Sequence, residues 1–243
     1  KVNQDLIVDS IQYIKDLNLV KMSKSDIKKL SLVKNGDMGT TSKVYRLNAS
    51  ECLKYFNYSM DEYDMYRLNK FTNLRFEGAN LPNKLVIVNN KFRGYITDFI
   101  NGETLETFNG LNYSEFVKSA STLLDNVHNI SMERIRILDS HEGNIMYNYD
   151  KGMLEITDPV EWCFDSVSSK DEVWNKNFRL VNATIRKYLF STDDIYNPSL
   201  YIPDLSEIEP SSDFVSYYEQ IKEKMEEAKG IKIKTIFDAR RYI

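Results

Sequence analysis

Two cysteines, Cys52 and Cys163, and two histidines, His128 and His141, are all the thiol and imidazole groups in 243 residues. That scarcity excludes a disulfide framework and a four-ligand zinc site. A hard cation held by oxygen ligands stays open, and the low thiol content suits a reducing cytoplasm. Positive charge is also in short supply. Lys and Arg number 32 against 36 Asp and Glu, a formal charge of -4, which argues against a broad nucleic-acid-binding face. No stretch approaches the roughly 20 apolar residues of a membrane helix, and no signal-peptide pattern is visible. The expectation is therefore a cytoplasmic protein with neither a nucleic-acid nor a membrane partner.

Hydrophobic residues make up 42%, ordinary for a folded protein, and the length fits one large domain or two small lobes. Leu6, Ile7, Ile11, Ile14, Leu17 and Val20 recur at helical spacing over residues 3–20, and Ser25-Asp26 starts a short helix over 26–30. The period then changes. "LSLV", "KVYRL" and "ECLKYF" read as three strands, separated by the turns "KNGDMGTTS" and "NAS". Residues 59–73 read as a helix with Met60, Tyr63, Leu68 and Phe71 on its inner face. "KLVIV-NN-KFRGYITDFI" reads as a hairpin, because Asn-Asn suits a tight turn. Beyond "INGETL" the pattern is mainly helical, over 113–130, 171–190 and 212–229, with a small hairpin "NIMYN-YDKG-MLEIT" between. This is an α+β order: a helical extension over 1–30, a β-rich part over 31–100 and a helix-rich part over 101–243.

The chemistry gathers in "ILDSHEGNIMYN", where Asp139, His141 and Asn144 interrupt two apolar runs. Phosphoryl transfer needs a carboxylate to orient an acceptor hydroxyl and take its proton, with an oxygen ligand for magnesium nearby. A polar turn around Gly143 is the plainer reading of that segment alone. Asp158 in "MLEITDPVEW" ends a strand just past a hairpin from Asn144, where both could meet one metal ion. Gly36 and Gly39 lie between two strands, and such glycines let backbone N–H groups approach phosphates. Lys54 lies within an apolar strand, where a cation is costly unless paired or facing a ligand anion. Its helix partner is Glu62, preferred for reach, or Asp64, better spaced to Leu68 and Phe71. His141 reads as a brace for the loop, hydrogen-bonded to a backbone carbonyl, rather than as a base competing with Asp139.

The order of these features (Gly turn, Val44, Lys54, helix acid, hairpin, Asp139, Asn144, Asp158) resembles that of a protein kinase. The chain looks like a divergent bacterial member of the protein-kinase-like superfamily over about residues 31–165. "DSHEGN" is similar to the D-x-H-x-G-N loop of aminoglycoside and choline phosphotransferases. The resemblance implies a bilobal fold, with a five-stranded β N-lobe carrying one helix and a small, mainly helical C-lobe. It implies Asp139 as catalytic base, Lys54 on the α- and β-phosphates with Glu62 as its ion-pair partner, and Asn144 and Asp158 as magnesium ligands. It places Gly36, Gly39, Val44, Cys52, Lys54, Thr97, Asp98, Ile100 and Met146 around ATP, with Thr97 as gatekeeper. There are departures. Ile137 and Leu138 stand where His-Arg of H-R-D would, Pro159-Val160 replaces Phe-Gly, and no A-P-E follows. The function so implied is an ATP- and Mg2+-dependent phosphotransferase acting on a hydroxyl of a protein or a small molecule. The alternative is a pseudokinase serving as a nucleotide-responsive binding or regulatory module.

Overall fold

The computed structural model describes residues 17–33, 41–190 and 213–241. The chain is α+β and divides into two compact units, Lys1–Arg75 with Asn80–Ile100, and Phe76–Ala79 with Asn101–Ile243. No helix among the described residues is long and apolar enough to cross a membrane.

The first unit is a six-stranded mixed sheet. Its strands are β1 (Leu19–Met22), β2 (Ser31–Leu32), β3 (Ser42–Arg46), β4 (Glu51–Phe56), β5 (Pro82–Val88) and β6 (Lys91–Asp98), in the order β1-β5-β6-β4-β3-β2. The β5–β6 turn is the Asn-Asn pair expected from the sequence. Asn89 and Asn90 hold φ of 52° and 57°, the two left-handed residues of a tight hairpin turn that Asn tolerates best after Gly. Helix α1 (Lys24–Lys28) opens with a Ser23–Asp26 capping box. Its Ile27 packs against Leu53, Val86, Val88 and Ile96 on one face of the sheet. Helix α2 (Glu62–Phe71) begins on the side chain of Asp61, which accepts from the Asp64 amide, and packs against β5.

Two expectations are corrected here. The helix expected over 3–20 falls mostly on residues outside those described, but its end is a strand: β1 runs parallel to β5, Leu19 beside Leu85 and Val20 beside Val86. The sheet therefore has six strands where five were expected. Asn18 fixes the junction by donating to the Asn83 carbonyl at 2.7 Å and accepting the Leu85 amide at 2.8 Å. On α2, Leu68 and Phe71 are buried as expected, but Tyr63 is 71% exposed, and Met60 is buried ahead of the helix. The helix starts at Glu62, and its turn carries Tyr63 away from the face that buries Leu68 and Phe71.

The second unit is built on α3 (Tyr113–Met132) and α4 (Lys170–Phe190), which pack along one another. Strands β7 (Gly102–Thr104), β9 (Ile145–Asn148) and β10 (Met153–Ile156) form a three-stranded antiparallel sheet, and β8 (Ile135–Arg136) pairs with β11 (Cys163–Phe164). Helices α5 (Phe214–Lys229) and α6 (Ile236–Arg241) complete it. Three deeply buried phenols are satisfied: Tyr113 donates to the Tyr218 carbonyl, Tyr188 to the Phe108 carbonyl and Tyr218 to Asn182 Oδ1. A buried hydroxyl without such a partner would cost about 1–3 kcal/mol.

Candidate active site

In the second unit, the stretch singled out in the sequence is a loop with a defined internal geometry. Helix α3 ends at Met132, and Arg134, at φ 56°, reverses the chain into β8. Ile137 is buried, Leu138 is 46% exposed, and the loop then passes through a 3-10 turn at Glu142–Asn144 into β9. Asn144 is 6% exposed, and its Nδ2 donates to the Asp139 carboxylate at 3.1 Å. The Asp139 side chain is 45% exposed, so its carboxylate is held from one side and open on another.

His141 braces this loop, but by a bond other than the one expected. Its Nδ1 accepts the Gly143 amide at 3.1 Å, where a backbone carbonyl had been the expected partner. Accepting at Nδ1 places the neutral ring's proton on Nε2, the nitrogen 3.8 Å from Asp139 Oδ2. The glycine lets the two side chains close over it. A Cβ at Gly143 would lie 2.8 Å from His141 Cε1 and 3.0 Å from Glu106 Oε1.

Hairpin register explains how residues 13 or more apart in sequence come together. In the β9–β10 ladder Ile145 pairs with Ile156, and the next step outward sets Asn144 opposite Thr157. The Asn144 carbonyl accepts both the amide of Thr157, at 2.8 Å, and its hydroxyl, at 3.2 Å. Asp158 follows at once with φ 59° and ψ 69°, a left-handed conformation ahead of a proline, where the backbone is ordinarily extended. Such strain costs about 1–3 kcal/mol and is retained chiefly at functional sites.

Helix α4 grips the loop from behind. Asn177, fully buried, accepts the Ile137 amide at 2.9 Å and donates to Ser131 Oγ and the Ile135 carbonyl at 2.9 and 2.8 Å. Thr184 bonds Ser140 twice, and Lys187 lies 3.4 Å from Glu142. No sequence motif marks these three. Their spacing of seven and then three residues sets them along one helix face, and polar residues recurring there are the available signal.

In the first unit, strand pairing collects the residues assigned to ATP. Lys54 stands opposite Val44 on β3 and Tyr95 on β6, and Cys52 opposite Arg46 and Thr97. Cross-strand partners share a face and alternate residues of a strand return to it, so Val44, Cys52, Lys54 and Thr97 lie on one face. The Thr97 hydroxyl donates to the Leu81 carbonyl at 2.7 Å. The Asp98 carbonyl accepts from Asn80 Nδ2 at 3.0 Å, its carboxylate from Asn83 Nδ2 at 2.7 Å, and the Phe99 amide donates to the Ser50 carbonyl at 2.8 Å. Glu62 is exposed in the first turn of α2, while Asp64 is engaged by Arg67 at 2.7 Å. Met146, half-buried on β9 of the second unit, pairs with Glu155 and Thr104. Gly36 and Gly39 lie outside the described residues.

Burial pushes the Cys52 thiol up from its ordinary 9.0 to about 12. The unfolded chain ionises this thiol from about pH 9 and the folded chain only near 12, so its contribution destabilises the fold as pH rises through that window. At pH 8 iodoacetamide is expected to leave Cys52 unmodified in the native protein and to alkylate it in denaturant, read by peptide mass spectrometry. Rapid native labelling of Cys52 would contradict this.

Among the described residues, no group of three or more His, Cys, Asp or Glu is arranged to hold a metal ion. No protein-family model matches the sequence, and no curated protein matches it.

Proposed function

We propose that this chain is an ATP- and Mg2+-dependent phosphotransferase of the bilobal protein-kinase-like fold, working in the cytoplasm and transferring the γ-phosphate to a hydroxyl of a protein or a small molecule. One observation carries the reading. The Asp139 carboxylate is tied to Asn144 at 3.1 Å, and Asn144 is tied through Thr157 to the strained residue Asp158. An acid open to an acceptor, next to two oxygen ligands on one rigid hairpin, is the equipment phosphoryl transfer requires.

Two residues have the oxygen chemistry that a hard cation takes. The amide nitrogen of Asn144 is used on Asp139, which leaves its Oδ1 to ligate. Asp158 adds a carboxylate, and phosphate oxygens and water would fill the remaining positions, as magnesium prefers. When bound, Mg2+ supplies charge neutralisation on the phosphates. Asp139 orients the acceptor hydroxyl and takes its proton. Asn144 holds the Asp139 carboxylate from one side at 3.1 Å, with His141 Nε2 3.8 Å away. Lys54 takes the α- and β-phosphates, and the face bearing Val44, Cys52 and Thr97 covers the adenine. The backbone from Asp98 to Ile100 meets the adenine edge, although the Asp98 carbonyl also accepts from Asn80 and the Phe99 amide donates to the Ser50 carbonyl.

The test is thermal unfolding and ATP hydrolysis with purified protein. Stabilisation by ATP that depends on Mg2+, with slow hydrolysis or phosphate transfer to the protein itself, supports the enzyme. A protein indifferent to nucleotide, without hydrolysis or autophosphorylation, overturns it and leaves a binding module. Mass-spectrometric screening of a lysate and a metabolite panel would then identify the acceptor.

A further inference from the structure

We infer that Thr184, through Ser140, is the positioning residue that holds Asp139 in its working orientation; this rests on the phosphotransferase reading above. Ser140 sits between Asp139 and His141, so anchoring its backbone places the points from which both side chains depart. Thr184 is 5% exposed. Its Oγ1 lies 3.0 Å from Ser140 Oγ and 2.9 Å from the Ser140 carbonyl. A hydroxyl has one hydrogen to give and lone pairs to accept with. The arrangement is therefore reciprocal: Ser140 Oγ–H donates to Thr184, and Thr184 donates to the Ser140 carbonyl. The competing acceptor is the Leu180 carbonyl one turn back, at 3.3 Å, the local bond a helical Thr makes by default. The shorter bond across to the loop wins.

Thr is a weaker helix former than Ala or Leu, and here it occupies a buried face of a 21-residue helix. Packing alone would be served as well by Val, which has the same shape. What Thr adds is the hydroxyl, and the hydroxyl goes to the loop. Lys187 on the same helix also meets the loop, at Glu142, but its side chain is 53% exposed, and such pairs contribute little. Of the two, Thr184 is the one that matters.

Thr184→Val keeps the volume and removes both bonds. The expected result is hydrogen exchange about tenfold faster at the Gly143 and Asn144 amides, which now bond His141. ATP turnover should fall about tenfold or more in kcat, with the KM for ATP within about twofold. Thr184→Ser should restore both, and Lys187→Ala should change each by less than about threefold. Where Thr184→Val lowers folding yield, Ser140→Ala removes one of the two bonds and should give an intermediate increase in exchange. Unchanged exchange at Gly143 and Asn144 in Thr184→Val overturns the inference. If the wild-type protein proves inert toward Mg·ATP, the phosphotransferase reading fails, and exchange alone decides whether Thr184 orders the loop.

Discussion

Asp158→Asn leaves the protein folded, removes the Mg2+-dependent part of its stabilisation by ATP, and lowers ATP turnover by at least about a hundredfold. Asn is chosen because it keeps the shape and tolerates the left-handed backbone nearly as well as Asp, so the change is confined to the charge. The φ of 59° at Asp158 allows a sharper control. Asp158→Gly removes the carboxylate and also relieves the backbone, since glycine adopts positive φ without steric cost. Activity should vanish while stability holds or rises by up to about 1 kcal/mol, the expected sign where a strained residue is kept for function. If Asp158→Gly both destabilises the fold and leaves Mg·ATP binding intact, Asp158 is structural and the metal assignment is wrong.

Asn177→Leu should lower stability by about 3–5 kcal/mol, a drop in Tm of roughly 10 °C for a chain of this size. Leu is nearly isosteric, so no cavity opens and the loss is polar. Asn177 has no solvent exposure and serves three groups: the Ile137 amide, Ser131 Oγ and the Ile135 carbonyl. Ser131 keeps its own bond to the Val127 carbonyl at 2.7 Å and loses only a donor to its lone pair. The Ile137 amide and Ile135 carbonyl are left buried, and each such orphan costs about 1–3 kcal/mol. Thermal or urea unfolding reads the result. A loss below about 1 kcal/mol would mean that water replaces the amide, and that the wall behind the loop is less sealed than Asn177 suggests.

Local chemistry is what the sequence made legible. Strand β4 is legible to the residue, because "ECLKYF" is apolar and β-prone between two turns, and the Asn89-Asn90 turn follows from its tolerance of positive φ. The loop from Asp139 to Asn144 is legible for a similar reason: a Gly stands among polar groups at fixed offsets between two apolar runs. Non-local pairing was not legible. Leu17 and Val20 fit a helical period as readily as a strand, and only the presence of β5, more than 60 residues on, makes Leu19–Met22 a parallel strand. Asn177, Thr184 and Lys187 were hidden because a helix face reads alike whether its polar residues meet water or a neighbouring loop. Asp64 shows the same limit: its spacing made it a candidate partner for Lys54, while Arg67, one turn along, had the shorter reach.

Strand β1 has a consequence beyond completing the sheet. It is four residues long and lies along one side of β5, whose Leu85, Val86 and Val88 are among the best-buried residues of the first unit. "LVIV" is a segment of high β-propensity with no charge, and a strand of that kind with unsatisfied backbone groups recruits strands from other molecules. With Asn18 fastening its start and Lys21 standing exposed along it, β1 is the outer rail on that side among the described residues. A shortened protein beginning after Met22 would keep every residue of the candidate active site and lose that rail, so its first failure would be self-association rather than loss of chemistry.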